Sequence, residues 1–542
     1  MILNLSIIYH LIKKESYLCI SNDRLNMTKN TMGTKLPRKL AQKMSIVGEQ
    51  IKLVRLRRNL SVVYGLSVES RLFVYLQKVK SIKPSVMRSH FYSFVVAFAV
   101  ALAATVTTHA QTVLFQSQPD QHIYYRIPAI ASHGNTLWAF GDDRSGVTDA
   151  TAWGDIGSVG NISLLVRKST NRGRSWTPAT VAVQGHGDSG FDKGHGDAAV
   201  VSDRETGKLL LICASGEVRY GLSDVKVTRT QQADGSYRYA QDLRQAQRVG
   251  RYYSNDGGKS WQGEEISESI YNLFNTASAE TYDEGNGNVA VERLFFSSGR
   301  ICQSALIKVK DYYRIYAVLT TNQGSLVIFS DDFGQSWLPL GGSEARPAPK
   351  GDEAKVEELP DGRVLLSCRM LGGRYFNIFN YTSTDRAAGE WAKPVASTSL
   401  EGGTAGQDNA TNGEILILPA KGRDGKPVHI ALQSIPFGNT KGSERNVERR
   451  SHVSIYWKVL SSPADYATPE CFLTGWTRYE VTPNCSAYST MVPDGKGNIA
   501  FIYEDNGEQI RCGSQNMEVY DLTFRTYSLD MITGGAYRYH KR

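Results

Sequence analysis

An arginine at the head of an apolar stretch is the first residue whose position suggests chemistry. Arg126 belongs to the run Tyr125-Arg126-Ile127-Pro128, and Pro128 lacks a backbone donor, which suits the first residues of a β-strand better than its middle. A guanidinium at a strand end can bind an anion such as a carboxylate through paired, charge-assisted hydrogen bonds. We therefore predict that Arg126 faces a cavity that binds an anion.

A glutamate and a second arginine flank a predicted hairpin further along the chain. The turn residues Pro360 to Gly362 lie between two strand-like segments, so Glu353 and Arg369 should return to the same edge of the sheet. Glu357 and Glu358 are competing acids, but they lie near the turn and are expected at the far end of the hairpin. The hairpin thus predicts a carboxylate beside a guanidinium.

A polar loop supplies candidate acids. It follows the predicted strand Leu137 to Phe140, is rich in Asp, Gly and Thr, and contains Arg144, Asp149 and Asp155. Loops held by a rigid sheet often carry catalytic groups. An aspartate here could protonate a leaving oxygen, and residue type alone leaves both aspartates open.

The element that must position these residues is a repeated antiparallel unit. Three turns share the form S-x-(D/N)-x-G-x-S-W, and a fourth is a divergent copy; they span 169–176, 254–261, 330–337 and 383–391. The Asp or Asn can bond the turn amides, the Gly supplies a positive φ, and we expect the Trp to fold back over the hairpin. Self-similarity at spacings of tens of residues is typical of propellers and solenoids.

Composition indicates one large all-β domain. Alternating strand patterns such as Val453 to Val459 are frequent, helical periodicity is scarce, and about 430 residues follow Gln111, which suits a barrel or propeller. The cysteines show no C-x-x-C spacing and no zinc-like pattern. A disulfide such as Cys471 to Cys485 is compatible with export.

The N-terminal part has a different character. Residues 1–110 hold 17 Lys and Arg against 4 Asp and Glu, or +13, whereas 45 against 49 leaves residues 111–542 at −4. The bulk charge of the main part therefore gives no indication of nucleic-acid binding. An apolar run from Phe91 to Ala104, preceded by Arg88 and followed by a small-residue site at Ala110, predicts a signal peptide over 87–110. Residues 1–86 are interpreted as an extension before the real start, or as a basic leader.

From Gln111 onward the chain resembles the sialidases, in particular bacterial exo-α-sialidases. The resemblance rests on the R-I-P arginine, the Asp-box turns quoted above, the Glu353–Arg369 hairpin and two later motifs. These are the strand end Ser434-Ile435-Pro436 with the arginines that follow, and the hairpin from Ser486 to Glu504. It implies an all-β, six-bladed β-propeller over 111–542 that needs neither metal nor cofactor.

The resemblance also implies roles for single residues. Arg126, Arg369 and Arg450 would bind the substrate carboxylate, with Arg449 as the alternative to Arg450. Tyr488 would be the nucleophile, Glu353 its base, and Glu504 the carboxylate that orients Arg126. In the family the acid precedes a W-G-D-I-G run, here Trp153 to Gly157, which favours Asp149 over Asp155, and Arg144 would line the pocket beside it.

A tyrosine nucleophile suits such a substrate because a carboxylate nucleophile would be repelled by the substrate's own carboxylate. Sialidases with a tyrosine nucleophile are a recognised exception to the two-carboxylate rule of glycosidases. The expected function is hydrolysis of terminal sialic acids from glycoproteins, glycolipids or oligosaccharides with retention of configuration. The expected place is the periplasm, the cell surface or the medium, without a membrane span in the mature form. A non-catalytic carbohydrate-binding propeller and a trans-sialidase are the alternatives.

Overall fold

The computed structural model describes residues 111–145, 161–217, 229–231, 233, 237–239, 247–274, 291, 294–406, 411–438, 450–506 and 519–541. The predicted extension and signal peptide, residues 1–110, lie outside these ranges, as do Asp149, Asp155 and Arg449. Within these ranges we find no helix with the length and apolar character needed to span a membrane.

Antiparallel sheets form six blades in a ring, which confirms the predicted β-propeller. After β1 (Thr112–Phe115), blade 1 contains β2 (Tyr125–His133), β3 (Thr136–Asp143), β4 (Ser163–Ser169) and β5 (Thr180–Val183). Blade 2 contains β6 (His195–Ser202), β7 (Leu209–Ser215), β10 (Arg248–Ser254) and β11 (Gln262–Glu265). Between β7 and β10 in the chain, β8 (Arg229–Gln231) and β9 (Tyr237–Tyr239) form a separate two-stranded sheet. Blade 3 contains β12 (Leu294–Phe296), β14 (Cys302–Val309), β15 (Tyr312–Thr321), β16 (Gly324–Ser330) and β17 (Leu338–Pro339). Between β12 and β14 in the chain, β13 (Gly299–Arg300) pairs parallel with β6 of blade 2.

The remaining strands complete the ring. Blade 4 contains β18 (Ala354–Glu358), β19 (Val364–Met370), β20 (Gly373–Ser383), β21 (Ala388–Trp391) and β22 (Val395–Ser397). Blade 5 contains β23 (Ile415–Gly422), β24 (Pro427–Pro436), β25 (Val453–Leu460) and β26 (Thr477–Glu480), and blade 6 contains β27 (Cys485–Pro493), β28 (Ile499–Asn506) and β29 (Asp521–Tyr527). The last strand, β30 (Tyr537–Tyr539), pairs with β23. The short helices are α1 (Ser267–Tyr271) and α2 (Leu529–Ile532), with 3₁₀ turns at Pro119–Gln121, Phe191–Lys193, Asn272–Phe274, Pro463–Tyr466 and Pro469–Phe472.

The N-terminal strand closes the ring. β1 pairs antiparallel with β29, so that Thr112 faces Phe524 and Phe115 faces Leu522. Blade 6 is therefore built from both ends of the described fold, β27 to β29 from the C-terminal part and β1 from the N-terminal part. This arrangement leaves no blade at an open end of the ring.

The register of the strands separates two faces of the ring. In blade 1, Arg126 at the start of β2 faces Asp142 at the end of β3, while His133 and Thr136 face each other at the other end. β18 and β27 likewise start at the end of their blades that carries Arg369 and Glu504, respectively. Residues at the starts of the inner strands therefore collect on one face, which we call the site face.

The repeated turns lie on the opposite face and share one hydrogen-bond pattern. The Asn171 side chain accepts the Ser175 amide at 2.9 Å, and Asp256 and Asp332 accept the Ser260 and Ser336 amides at 3.0 and 2.9 Å. The glycines of the three turns have φ values of +81°, +87° and +81°, as the turn requires of a residue without a Cβ; they are Gly173, Gly258 and Gly334.

Three of the turn tryptophans connect neighbouring blades, although we expected them to cover their own hairpins, whereas Trp337 packs against Phe296 of its own blade. Trp176 of blade 1 packs against Phe524 of blade 6 with ring centroids 5.1 Å apart, and Trp261 of blade 2 packs against Phe140 of blade 1 at 5.8 Å. The indole nitrogen of Trp391, in blade 4, donates to the Leu340 carbonyl at 2.8 Å. The reason is that each blade exposes an apolar edge to the blade before it, which a large ring can bury.

Cys471 and Cys485, which the sequence allowed as one possible pair, do not form a disulfide with each other. Cys485 is disulfide-bonded, whereas Cys471 is a free thiol beside the Ala464 carbonyl. Three further free thiols, Cys213, Cys302 and Cys368, are buried. Proximity in the chain is a poor guide to pairing, because the ring brings strands together that are far apart in sequence.

Candidate active site

Tyr488 lies at the centre of the site face. It is 9% exposed and stands on β27, where the register against β28 shifts between Ser486 and Ser489. Such a bulge inserts an extra residue and re-aims the neighbouring side chains. Its hydroxyl donates to Glu353 Oε2 at 2.7 Å.

Arg369 contacts both members of this pair. Its Nη1 donates to the Tyr488 hydroxyl at 3.0 Å and also to Glu353 Oε2, while its Nε lies 3.2 Å from Asp352 Oδ2. The Arg369 amide donates to the Glu353 carbonyl at 2.7 Å, so the hairpin does return these two residues to one edge. A tyrosine hydroxyl, a carboxylate and a guanidinium thus share one set of hydrogen bonds.

Burial changes the acid strength of this pair. It raises the pKa of Tyr488 well above its ordinary value, and the adjacent negative charge of Glu353 raises it further. Burial also raises the pKa of Glu353, although the Arg369 guanidinium opposes that shift. The tyrosine is therefore neutral at physiological pH, and the carboxylate is a stronger base than a solvated glutamate.

Arg126 is held by Glu504 across the junction of blades 1 and 6. Its Nε donates to Glu504 Oε1 at 2.7 Å and its Nη2 to Oε2 at 3.2 Å. The same carboxylate accepts the Ile127 amide at 2.9 Å and the Tyr488 amide at 3.0 Å. Although burial alone would favour the protonated form, Arg126 and these amides hold the pKa of Glu504 below its ordinary value.

Backbone geometry supports this arrangement. Ile127 has a φ of +55°, and the register of β2 against β3 shifts between Arg126 and Ala129. A left-handed conformation at a β-branched residue costs energy and persists only where the surroundings impose it. Here the bond from the Ile127 amide to the buried Glu504 carboxylate supplies that constraint.

The third arginine lies against the same tyrosine. The guanidinium carbon of Arg450 is 5.8 Å from the centroid of the Tyr488 ring, and that of Arg126 is 5.7 Å from it. The Arg450 carbonyl accepts the Ser486 amide at 2.8 Å, which ties it to β27. The structure therefore brings Arg126, Arg369 and Arg450 together around Tyr488, as their assignment to one anion clamp requires.

Arg144 lies beside Asp142 at the end of β3. Its Nη2 donates to Asp142 Oδ2 at 2.8 Å, and the Asp197 amide donates to Oδ1 of the same carboxylate at 3.1 Å. Burial raises the pKa of Asp142 to about 6, against the opposing effect of Arg144. Because Asp142 faces Arg126 in the strand register, Arg144 is on the site face. The two candidate acids, Asp149 and Asp155, lie outside the described residues.

Several buried charged residues next to the site were not anticipated. Glu357 is 9% exposed and its Oε2 accepts Arg300 Nη2 at 2.6 Å, while Glu358 is 8% exposed and bonds Ser304 and the Ala305 amide. Lys355 is 2% exposed. The alternation of Lys355 and Glu357 along β18, which continues the two-residue spacing from Glu353, was the available signal, because alternate residues of a strand point to the same side. Among the described residues, no group of His, Cys, Asp and Glu could hold a metal ion.

Comparison with known proteins places this geometry in context. No protein-family model matches the chain. The sialidase of Paraclostridium sordellii is 28% identical over 407 residues, which are 74% of this chain and 84% of that protein. The chain is therefore similar to the sialidases over most of its length, and this similarity supports an enzyme of the glycoside hydrolase class.

Solved structures of the family share the fold. The leech intramolecular trans-sialidase complexed with 2,7-anhydro-Neu5Ac superposes with a TM-score of 0.53 at 17% identity, over 80% of this chain and 72% of that one. The Hadza microbial sialidase gives 0.52 at 19% identity, over 78% and 69%. At this level of identity the likeness concerns the propeller alone.

Proposed function

We propose that this protein is an exo-α-sialidase that removes terminal sialic acids from glycoproteins, glycolipids or oligosaccharides, by two displacements with net retention. The observation that carries the proposal is the hydrogen bond of 2.7 Å from the Tyr488 hydroxyl to Glu353, with Arg369 bonded to both. A buried tyrosine is a poor nucleophile until a base takes its proton, and Glu353 is within reach to do so.

In the first displacement, the Tyr488 oxygen bonds to the anomeric carbon while the bond from that carbon to the leaving oxygen breaks. The tyrosine proton passes to Glu353, and Asp149 gives a proton to the leaving oxygen. In the second, water bonds to the anomeric carbon and gives a proton to Asp149, the bond to Tyr488 breaks, and Glu353 returns the proton to the tyrosine. Two inversions give net retention.

The arginines would hold the substrate during both steps. Arg126, Arg369 and Arg450 converge on Tyr488 from three blades, and a sialic acid carries its carboxylate on the anomeric carbon that the tyrosine must reach. Guanidinium groups suit such a carboxylate because their planar forks donate in pairs. Arg144 would line the pocket beside the acid.

The test is turnover of a fluorogenic sialoside by wild type and Tyr488→Phe. We expect wild type to release sialic acid, seen by NMR first as the α-anomer, and the folded variant to lose at least about 10³-fold in kcat, since the nucleophilic oxygen is gone. Release of the β-anomer first, or near wild-type kcat in the variant, contradicts the double displacement. No turnover by wild type would favour the non-catalytic propeller, and product on an added acceptor sugar would favour a trans-sialidase.

The same assay can assign the acid. Loss of the acid should slow substrates with poor leaving groups far more than activated aryl glycosides, because only the former need the proton. Asp149→Ala and Asp155→Ala are therefore compared on both substrate types. We expect Asp149→Ala to slow substrates with poor leaving groups far more than activated aryl glycosides. If only Asp155→Ala showed this difference, Asp155 would be assigned as the acid.

We also infer that the enzyme works outside the cytoplasm. The disulfide at Cys485 supports this, because disulfides persist in oxidising compartments, and so does the apolar run before Ala110. N-terminal sequencing of exported protein should start at Gln111. A mature protein that retains the run from Phe91 to Ala104 would contradict it.

A further inference from the structure

A group of four buried or nearly buried charged residues includes Lys355, two residues after Glu353 in the chain. We call it the axial cluster, because its members come from inner strands or from residues that adjoin them: Arg300, Lys355, Glu357 and Glu414. Arg300 Nη2 contacts Glu357 at 2.6 Å and Glu414 at 3.3 Å, so both carboxylates already have a cation. Lys355 adds a further positive charge.

The Lys355 ammonium is held by backbone oxygens. Its Nζ donates to the Ser297 carbonyl at 3.2 Å, to the Arg300 carbonyl at 3.4 Å and, more closely, to the Ser298 carbonyl. Carbonyl oxygens satisfy its hydrogen bonds without neutralising its charge. A buried ammonium is costly, and an apolar side chain of similar size would avoid that cost, so the charge calls for an explanation beyond packing.

The position of Lys355 connects it with the nucleophile pair. Lys355 lies on β18 two residues after Glu353, which immediately precedes that strand, and Thr490 lies two residues after Tyr488 on β27. A Cβ on Gly299, which has a φ of +103°, would lie 2.9 Å from Lys355 Nζ and 3.2 Å from Thr490 Oγ1, so both side chains pack on that glycine. Thr490 Oγ1 in turn donates to Glu414 at 3.0 Å. Lys355 and Thr490 thus meet at Gly299, each two residues along the chain from a member of the Tyr488–Glu353 pair.

We propose that Lys355 is a positioning residue for the reaction, whose ammonium stabilises the ionised carboxylate of Glu353 and keeps that base ready for the Tyr488 proton. The inference rests on the proposed function of the pair. Both acids of the cluster already pair with Arg300, so Lys355 is not required to balance them, and Glu353 is the carboxylate two residues before it in the chain. Thr490 and the three carbonyls fix where that charge lies.

The charges around Lys355 and Glu353 determine the direction in which the pKa of Glu353 should shift when the Lys355 charge is removed. Lys355 is faced by Glu414, Arg300, Glu353 and Arg374, and burial lowers its pKa to about 8, so it is charged at neutral pH. Glu353 is faced by Arg369, Arg374, Asp352 and Tyr488. Glu353 acts as a base only when ionised, so kcat/KM should fall as the pH decreases through its raised pKa. Removing the Lys355 charge raises that pKa further, and the acid limb of the profile should move to higher pH.

The experiment is the pH profile of kcat/KM on an activated aryl sialoside for wild type, Lys355→Met and Lys355→Arg. We expect the acid limb of Lys355→Met to move upward by about one unit, the size of shift that a neighbouring charge typically causes. Lys355→Arg, which keeps the charge, should move it less. Glu414→Gln should move the limb downward, because it removes a negative charge from the same cluster. If Lys355→Met does not fold, Lys355→Gln is measured in the same way.

Arg314→Met is the matched control for losing a buried cation. Arg314 is fully buried and pairs with Asp331 at 2.6 Å near the repeated turns, on the face opposite the site. Arg314→Met should lower the stability of the protein without shifting the acid limb of its kcat/KM profile. If the Lys355 variants lowered the plateau of kcat/KM without shifting its acid limb, the inference would be overturned and the proposed function would stay intact. An equal shift in Arg314→Met would also overturn it, and an inactive wild type would refute the proposed function itself.

Discussion

Arg126 is oriented by a carboxylate on one side and lies against aromatic rings on the other. Two of its nitrogens are bonded to Glu504, and its guanidinium carbon is 5.7 Å from the Tyr488 ring and 5.2 Å from the Tyr520 ring. Glu504 also accepts the Tyr488 amide. One carboxylate therefore places both an arginine of the proposed clamp and the backbone of the proposed nucleophile.

This geometry makes Arg126 sensitive to shape as well as charge. We expect Arg126→Ala to cost about 3 to 5 kcal/mol in kcat/KM, because it removes a clamp member and leaves Glu504 buried without its cation. Arg126→Lys should remain strongly impaired, since an ammonium lacks the planar fork that pairs with a carboxylate. Steady-state kinetics on the fluorogenic sialoside measures both.

Arg363→Lys is the control for the same chemical change elsewhere. Arg363 lies at the β18–β19 turn on the far face, where it bonds Asp361 and the Tyr466 carbonyl. Its replacement should leave kcat/KM nearly unchanged. Near-normal kcat/KM in Arg126→Lys would remove Arg126 from the clamp.

At the scale of elements, the repeated turns join blades rather than merely ending hairpins. In the third turn, Asp332 accepts the Ser336 amide at 2.9 Å and the Ser330 hydroxyl at 2.6 Å, and Ser330 Oγ accepts the Gly334 amide at 2.7 Å. A Cβ on Gly334 would lie 2.5 Å from Leu210 Cδ2 of blade 2. The turn therefore holds blade 3 against its predecessor.

We expect Asp332→Ala to lower the free energy of unfolding by about 1 to 2 kcal/mol, because it removes hydrogen bonds from a partly exposed carboxylate. The kcat of the folded enzyme should not change, since the turn is on the far face. Urea unfolding and kinetics test the two statements. Asp311→Ala, in a neighbouring exposed turn, should leave both unchanged, and a large loss of kcat in Asp332→Ala would show that turn and site are coupled.

At the scale of the whole molecule, stability depends on closing the ring. Leu114 and Phe115 of β1 are 1% and 3% exposed and pack between blades 6 and 1 with Leu522 and Phe524. Opening this junction would also release the strand that carries Arg126. Ring closure and site geometry thus depend on the same few strands.

We expect Phe115→Ala to cost about 3 to 5 kcal/mol of stability, the range for deleting a buried aromatic side chain. Val113, in the same strand, is 42% exposed, and Val113→Ala should cost far less. Thermal unfolding compares the two variants directly. Equal losses would show that β1 acts through its backbone pairing alone.

Local pattern was sufficient for the fold class and for much of the site. The repeated turns, the alternating strands and the Pro-Asp-Gly hairpin are local patterns, so repeated antiparallel units and the pairing of Glu353 with Arg369 could be predicted from them, whereas the six-bladed propeller came from a family resemblance. The positions of Tyr488 and Glu504 came from a family resemblance. The structure brings them into contact with Glu353 and Arg126.

What the sequence did not reveal depends on residues that are distant in the chain. The axial cluster joins Arg300 to Glu357 and Glu414, 57 and 114 positions away, and charges next to a hairpin turn look solvated until the ring encloses them. Three of the turn tryptophans meet the preceding blade, and Cys485 does not pair with its near neighbour Cys471. Local sequence determined which residues could form strands, turns and a hairpin site, whereas ring closure decided which charges became buried, because burial depends on which blades meet.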